Sequence, residues 1–360
     1  MHYFLRGAAS AALIGNAPRS LLSLSISVAI AFVLGVAGCN SKQSEIRTFQ
    51  LNGQTMGTTF GITLVGPPPS LELSDLESAI YAELEAVELS MSTYIETSEI
   101  SRFNRFGGSD WYEVSSALCS VVDTAINISR ASGGAFDVTV GAIVNIWGFG
   151  PGIRSNTKPD QEQITSLLSF TGPDRIESDC MIPALRKTHG SVTIDLSAIA
   201  KGYAVDQVAD LISNHGISNY LVEIGGEIRI SGHNKDENAW SIAVESPILG
   251  ARSVNSVIEL TDTAVASSGD YRNQFEFGGV IYSHTIDPRN GYPITHATSA
   301  VTVIKASAAQ ADAFATAFLV LGLDEGLKLA ERENIAAIFL IKDGGKIVEK
   351  RSSAVSHYIN

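Results

Sequence analysis

The amino-acid sequence predicts an α+β fold, with mixed, largely antiparallel sheets and packed helices arranged as two intimately packed lobes. Three observations predict it. Apolar stretches of strand length are joined by short polar turns, such as the one at Gly225 and Gly226, and short connections favour antiparallel pairing. Helical periodicities are scattered among them without the regular strand–helix alternation of a doubly wound sheet. The 360 residues exceed a typical domain, yet from Phe49 onward no Pro/Gly/Ser-rich linker divides them.

In chain order, Arg6 and Arg19 precede a nearly uncharged stretch from Leu21 to Gly38, the form of a secretory leader. About 18 apolar residues can also just span a bilayer. This stretch, however, ends in Val-Ala-Gly-Cys, which resembles a bacterial lipobox. The expectation is therefore a signal peptide over 1–38 and a lipidated Cys39, with the mature protein at the bacterial cell envelope, lipid-anchored and periplasm-facing. Residues 39–48 read as the lipidated cysteine and a polar tether, and 49–355 as one domain.

Gly66-Pro-Pro-Pro-Ser70 is a loop, since prolines cannot donate to a strand ladder. Ser74 with Glu77 three residues on has capping-box spacing, and Leu76, Ile80, Leu84, Val87 and Met91 follow at helical intervals. A second helix runs from Ser115 or Ser116 to Ser129, stopped by Ser132-Gly133-Gly134; a third follows Ala200 and ends before Gly216; a fourth spans Ala308 to Leu321. Strands are predicted at 59–65, 191–196, 219–224, 227–232, 240–245, 256–260, 264–268 and 337–342.

Charge excludes one class of function. The chain carries 25 Lys+Arg against 38 Asp+Glu, net −13, and loss of residues 1–38 leaves 23 against 38. Nucleic-acid binding needs clustered positive charge. Past Cys39 the cysteines are Cys119 and Cys180; a disulfide and two free thiols are both compatible with the sequence. No CxxC motif or His/Cys cluster suggests zinc or haem.

Three stretches carry candidate chemistry. In Thr193-Ile-Asp-Leu-Ser-Ala-Ile-Ala-Lys-Gly-Tyr203, small residues at a helix start leave backbone groups uncovered. They can receive an anion or lend a carbonyl to a metal, with Lys201 adding a positive charge and Gly202 allowing close approach. The same stretch also reads as a capped helix with Asp195 and Lys201 paired on the surface. Asp312 and Thr316 lie four apart on an otherwise Ala/Phe-rich helix, so their oxygens share a face. A buried carboxylate needs a partner, and magnesium, a helix cap or an arginine would each serve. Finally, His284 precedes a turn at Asp287-Pro-Arg-Asn-Gly291; imidazole titrates near neutrality and suits a general base, though a structural histidine is equally allowed.

Taken together, Met56-Gly-Thr-Thr-Phe60, the 91–104 stretch, Gly133-Gly-Ala-Phe-Asp-Val-Thr-Val-Gly141, the 195–206 stretch, Glu223-Ile-Gly-Gly-Glu-Ile-Arg229, Ser268-Gly-Asp-Tyr271, 283–291 and 311–322 occur in the order seen in the ApbE family, which this chain resembles over about residues 49–355. That family comprises FAD-dependent flavin transferases. The resemblance implies that FAD is the substrate and that its FMN half moves onto a threonine or serine hydroxyl of a target protein, releasing AMP. It implies acceptors of the kind found in Na+-pumping NADH:quinone reductases and Rnf-type complexes. Carried over position by position, Met56, Tyr94, Ala135, Phe136, Asp137, Asp195, Lys201 and Ile286 look like FAD contacts. Ala198 through its carbonyl, with Asp312 and Thr316, looks like a Mg2+ site, and His284 the base. Many members carry a second aspartate where this chain has Ala315. Water as the acceptor would instead make an FAD pyrophosphatase, and loss of chemistry a non-catalytic FAD-binding lipoprotein.

Overall fold

The computed structural model describes residues 46–151, 158–247, 253–270, 274–277 and 280–358; the leader, Cys39 and most of the tether lie outside the described residues. From Glu45 onward the chain forms one compact unit. Its centre is an eight-stranded sheet of β1 (Thr48–Thr55), β2 (Thr58–Val65), β3 (Asn219–Ile224), β4 (Glu227–Ser231), β5 (Thr263–Gly269), β6 (Thr298–Lys305), β7 (Ala336–Asp343) and β8 (Lys346–Arg351). The strands lie side by side in chain order, and each pair is antiparallel.

Helices α1 (Leu73–Met91), α2 (Glu99–Arg105), α3 (Ser116–Ala131), α4 (Gly141–Ile146), α5 (Gln161–Leu168), α6 (Ala200–Asn214) and α7 (Ala308–Arg332) fill the excursions between strands. Residues of α1, α3, α6 and α7 share one large apolar core with the sheet residues Phe60, Ile62, Val222, Ala266, Val303 and Phe339. The opposite face of the same strands, through Ile230, Val265, Ile304 and Ile338, packs on a hairpin of Trp240–Glu245 and Val254–Leu260. Strands β5, β6 and β7 are thus covered on both faces. A smaller cluster of Ile143, Trp147, Ile164 and Ile286 joins α4 and α5 to the turn after His284, where the Trp147 indole N–H donates to the Gly291 carbonyl at 2.8 Å.

Two expectations need correction. The helix α1 begins at Leu73, not at a capping box: its N-cap is Glu72, without a side-chain cap. Ser74 falls inside the first turn because the amides of Asp75 and Leu76 already reach the Glu72 carbonyl. Residues 191–196 are extended but form no strand. The Asn104 side chain takes both backbone groups of Ile194, at 2.8 Å each, and the Asp195 amide goes to the Val138 carbonyl, so side chain and loop replace a ladder. The helix expected over Ala308–Leu321 does end there: α7 breaks at Gly322, with φ 71°, and a second helical stretch runs on to Arg332.

Cys119 and Cys180 are paired, joining α3 to the turn between two short strands, Ile176–Asp179 and Ala184–Lys187. The bond closes a separation of 61 residues, for which chain entropy gives about 4 kcal/mol. The Cys119→Ala/Cys180→Ala protein is expected to lose about 2–4 kcal/mol of stability, read as a lower urea midpoint with a larger m-value, because the unfolded chain without the cross-link exposes more surface.

Lys187 is 0% exposed. It donates to the carbonyls of Asn104 and Gly190 at 3.1 and 3.2 Å and lies over the Phe103 ring; among the described residues it has no carboxylate partner. Burial lowers its pKa. The folded state therefore binds this proton more weakly than the unfolded chain, and stability rises with pH up to the free-lysine value near about 10.4. Between pH 7 and 10 the wild-type urea midpoint should rise relative to that of Lys187→Met; parallel profiles would show that the ammonium is not strained.

Candidate active site

The site starts from how closely two helices approach. A Cβ on Gly202 of α6 would stand 2.3 Å from the Ala308 carbonyl oxygen of α7. The absent side chain of Gly202 thus serves helix packing. Asp206, one turn on, fixes the same junction: its carboxylate accepts from Ser307 Oγ and from the Ala308 and Ala309 amides at 2.8–3.0 Å, and from Arg229. A carboxylate at the start of α7 satisfies otherwise unpaired amides and complements the helix dipole.

This junction has a chemical result. The Gly202 amide, third in α6 and so without an acceptor inside the helix, donates to Asp312 Oδ2 at 3.2 Å. Among the described residues no amide donates to the Ala198 carbonyl. Ala198 and Asp312 line one cavity. Thr316, one turn along α7, shares a hydrogen bond of 3.0 Å with Ser268 of β5. Among the described residues no group of three or more His, Cys, Asp or Glu side chains is placed to hold a metal. A carbonyl, one carboxylate and a hydroxyl are nevertheless the hard oxygen set that suits magnesium, with substrate phosphates and water completing it. Ala315 is fully buried in the main core and is not among the residues that line the cavity.

Lys201 sits between two carboxylates. Its Nζ is 3.0 Å from Glu227 Oε1 and 3.7 Å from Asp312 Oδ2, and both acids are 2% exposed. Burial opposes the lysine charge, but the two carboxylates outweigh it and hold the ammonium above its usual range. Burial raises Asp312, against the pull of Lys201 and the Gly202 amide. Burial likewise raises Glu227, against the pull of Lys201, its partner at 3.0 Å. The surface pairing of Asp195 with Lys201 is not formed. Asp195 Oδ1 instead accepts from the Ser197 amide and hydroxyl at 2.8 and 2.5 Å.

These groups open into a cavity of about 560 Å³, a size usual for ligand clefts. Tyr94, Ala135, Phe136, Asp137, Asp195, Ala198, Lys201, His284, Ile286, Asp312 and Thr316 all line it. Met56 does not. It occupies the two-residue turn between β1 and β2 at φ 49°, where Glu88 accepts from its amide and from Thr55 Oγ1. The Asp137 carboxylate is already committed to Thr139 and Ser129, and burial raises its pKa; it serves as wall and turn cap. Tyr94 stands at the rim, 65% exposed, its hydroxyl 3.5 Å from the Phe149 carbonyl. The Phe149 ring meets His284 edge-on at 6.3 Å. Glu227, Ser268 and Asp206 were not singled out from sequence; each lay within or beside a quoted motif, but only the fold shows what its side chain meets.

An α+β body whose cavity is lined by apolar side chains and by a lysine between two buried carboxylates has the build of an enzyme site. The comparisons specify it. A model of the ApbE family matches residues 56–339. The FAD:protein FMN transferase of Vibrio cholerae is 41% identical over 333 residues, covering 92% of this chain and 98% of its own. That of Haemophilus influenzae is 40% identical over 332 residues, covering 91% and 95%. Among solved structures, the flavin transferase ApbE from Vibrio cholerae superposes with a TM-score of 0.81 at 40% identity, over 87% of this chain and 100% of that one. The apo form of the Pseudomonas stutzeri flavinyl transferase ApbE gives 0.79 at 36%, over 87% and 97%. The chain belongs to the ApbE family and is an enzyme, a transferase.

Proposed function

We propose that this protein moves the FMN half of FAD onto a threonine or serine hydroxyl of a target protein, releasing AMP, with Mg2+ required. The observation that supports this reading is that Ala198, whose carbonyl accepts from no amide among the described residues, lines one cavity with Asp312 and Thr316. The names of the relatives support flavin transfer from FAD to protein.

Ala198, Asp312 and Thr316 would hold the magnesium. When bound, the ion supplies charge neutralisation at the pyrophosphate and at the departing AMP. Lys201, kept protonated by its carboxylates, adds a fixed positive charge beside the phosphates. Phe136, Ala135 and Ile286 offer apolar surface to the FAD rings from within, and Tyr94 from the rim. Asp195, oriented by Ser197, accepts from a flavin or ribityl donor. His284 takes the proton of the attacking hydroxyl; a new oxygen–phosphorus bond forms to FMN as the pyrophosphate bond breaks, and AMP carries away the bonding pair. A lipid anchor at Cys39 would hold the enzyme at the periplasmic face beside membrane electron-transfer subunits of the Na+-pumping NADH:quinone reductase or Rnf type.

The test is intact-mass analysis of such a subunit after incubation with the protein, FAD and Mg2+, with an EDTA control. A gain of one FMN residue that EDTA abolishes is expected. FMN and AMP accumulating without a gain would instead make water the acceptor, and intact FAD would point to a carrier.

A further inference from the structure

We propose that Glu227 is a positioning residue that holds the Lys201 ammonium away from Asp312 and so leaves Asp312 able to take a divalent cation. The inference rests on the reading of Asp312 as a metal ligand. A lysine beside a metal carboxylate is a competitor: the ammonium neutralises the charge that the cation needs. Here the competition is already biased. Lys201 Nζ lies within hydrogen-bond distance of Glu227, at 3.0 Å, and beyond it from Asp312, at 3.7 Å.

The side chain that does this is placed by the sheet. Glu227 is the first residue of β4, paired with Ile224 across the tight Gly225-Gly226 turn, whose glycines have φ of 63° and 109°. It therefore enters the cavity from the middle of the sheet, with little freedom to follow the lysine. Its second oxygen, Oε2, is buried without a hydrogen bond among the described residues. A buried carboxylate oxygen left unmet is costly. A glutamine here would occupy the same volume, but without a charge it could not outbid Asp312 for the ammonium.

The test is Mn2+ binding to the full chain without FAD, followed by EPR, in Glu227→Gln, Lys201→Met and the double variant, with folding checked by urea titration. Glu227→Gln is expected to weaken Mn2+ binding at least about tenfold, since Lys201 then closes on Asp312. Adding Lys201→Met should restore the affinity, because the competitor is gone. A loss that Lys201→Met fails to restore would make Glu227 a direct ligand and overturn the proposal; so would an unchanged affinity in Glu227→Gln. If the single variant does not fold, Lys201→Met is compared with the double variant: equal affinities support positioning, and a further loss refutes it. Asp312→Asn separates this from the underlying reading. If that variant binds Mn2+ as the wild type does, the metal assignment itself fails.

Discussion

Asp312→Asn is expected to lower FMN transfer about a thousandfold or more, because the magnesium we propose there would lose its carboxylate and the charge on the pyrophosphate would go unopposed. The protein should remain folded. Lys201 keeps Glu227 at 3.0 Å, and an asparagine oxygen can still accept from the Gly202 amide. Stability should even rise. Burial raises the Asp312 pKa, so the metal-free wild type carries a penalty that is absent at low pH and grows as pH rises above the free-aspartate value of about 4. The urea midpoint of the variant should accordingly exceed that of the wild type by a margin that widens from pH 4 to 7 in EDTA. Transfer at the wild-type rate, followed by covalent flavin fluorescence of the acceptor, would remove Asp312 from the mechanism.

Gly202→Ala should damage both stability and chemistry. The new methyl would meet the Ala308 carbonyl oxygen at 2.3 Å and Ala309 Cα at 2.7 Å, backbone atoms that cannot rotate aside. Overpacking of this kind costs about 1–3 kcal/mol, and relief requires α6 and α7 to separate. Separation breaks the Gly202–Asp312 hydrogen bond and draws Asp312 away from the start of α6. Transfer measured at 10 °C, where the variant is still folded, should therefore stay depressed at least about a hundredfold. Recovery of activity on cooling would show that only packing was at stake.

How far the sequence could be read depended on how each element is buried. Helix α3 announced itself with Ser115, whose side chain does accept from the Leu118 amide, and α6 with a stop at His215 just before Gly216. Strands open to solvent on one face, such as Trp240–Glu245, show alternation and were legible. β6 was not, since it lies between β5 and β7 with both faces covered and nearly every residue buried, so no period-two signal survives. Extended residues 191–196 carried that signal without being a strand, because alternation reports burial and here Asn104 supplies the hydrogen bonds. At the site, Asp312, Thr316 and Lys201 were visible as polar groups in apolar surroundings. Glu227 read as part of a hairpin, because nothing local reveals that the hairpin is central and faces the start of α6. Nor could the pairing of Cys119 with Cys180 be read, since closeness across 61 residues is a property of the fold.

The walls of the cavity are gathered from Tyr94 through Val320, so no fragment of the chain contains a usable part of it. Occupancy and global unfolding are then linked: a substrate present at a hundredfold over its Kd adds about 2.7 kcal/mol to the stability of the whole body. Lifetime against proteolysis becomes a function of flavin supply. A cell short of FAD would lose this enzyme as protein as well as its turnover, and flavin-replete cells would accumulate it without any change in synthesis.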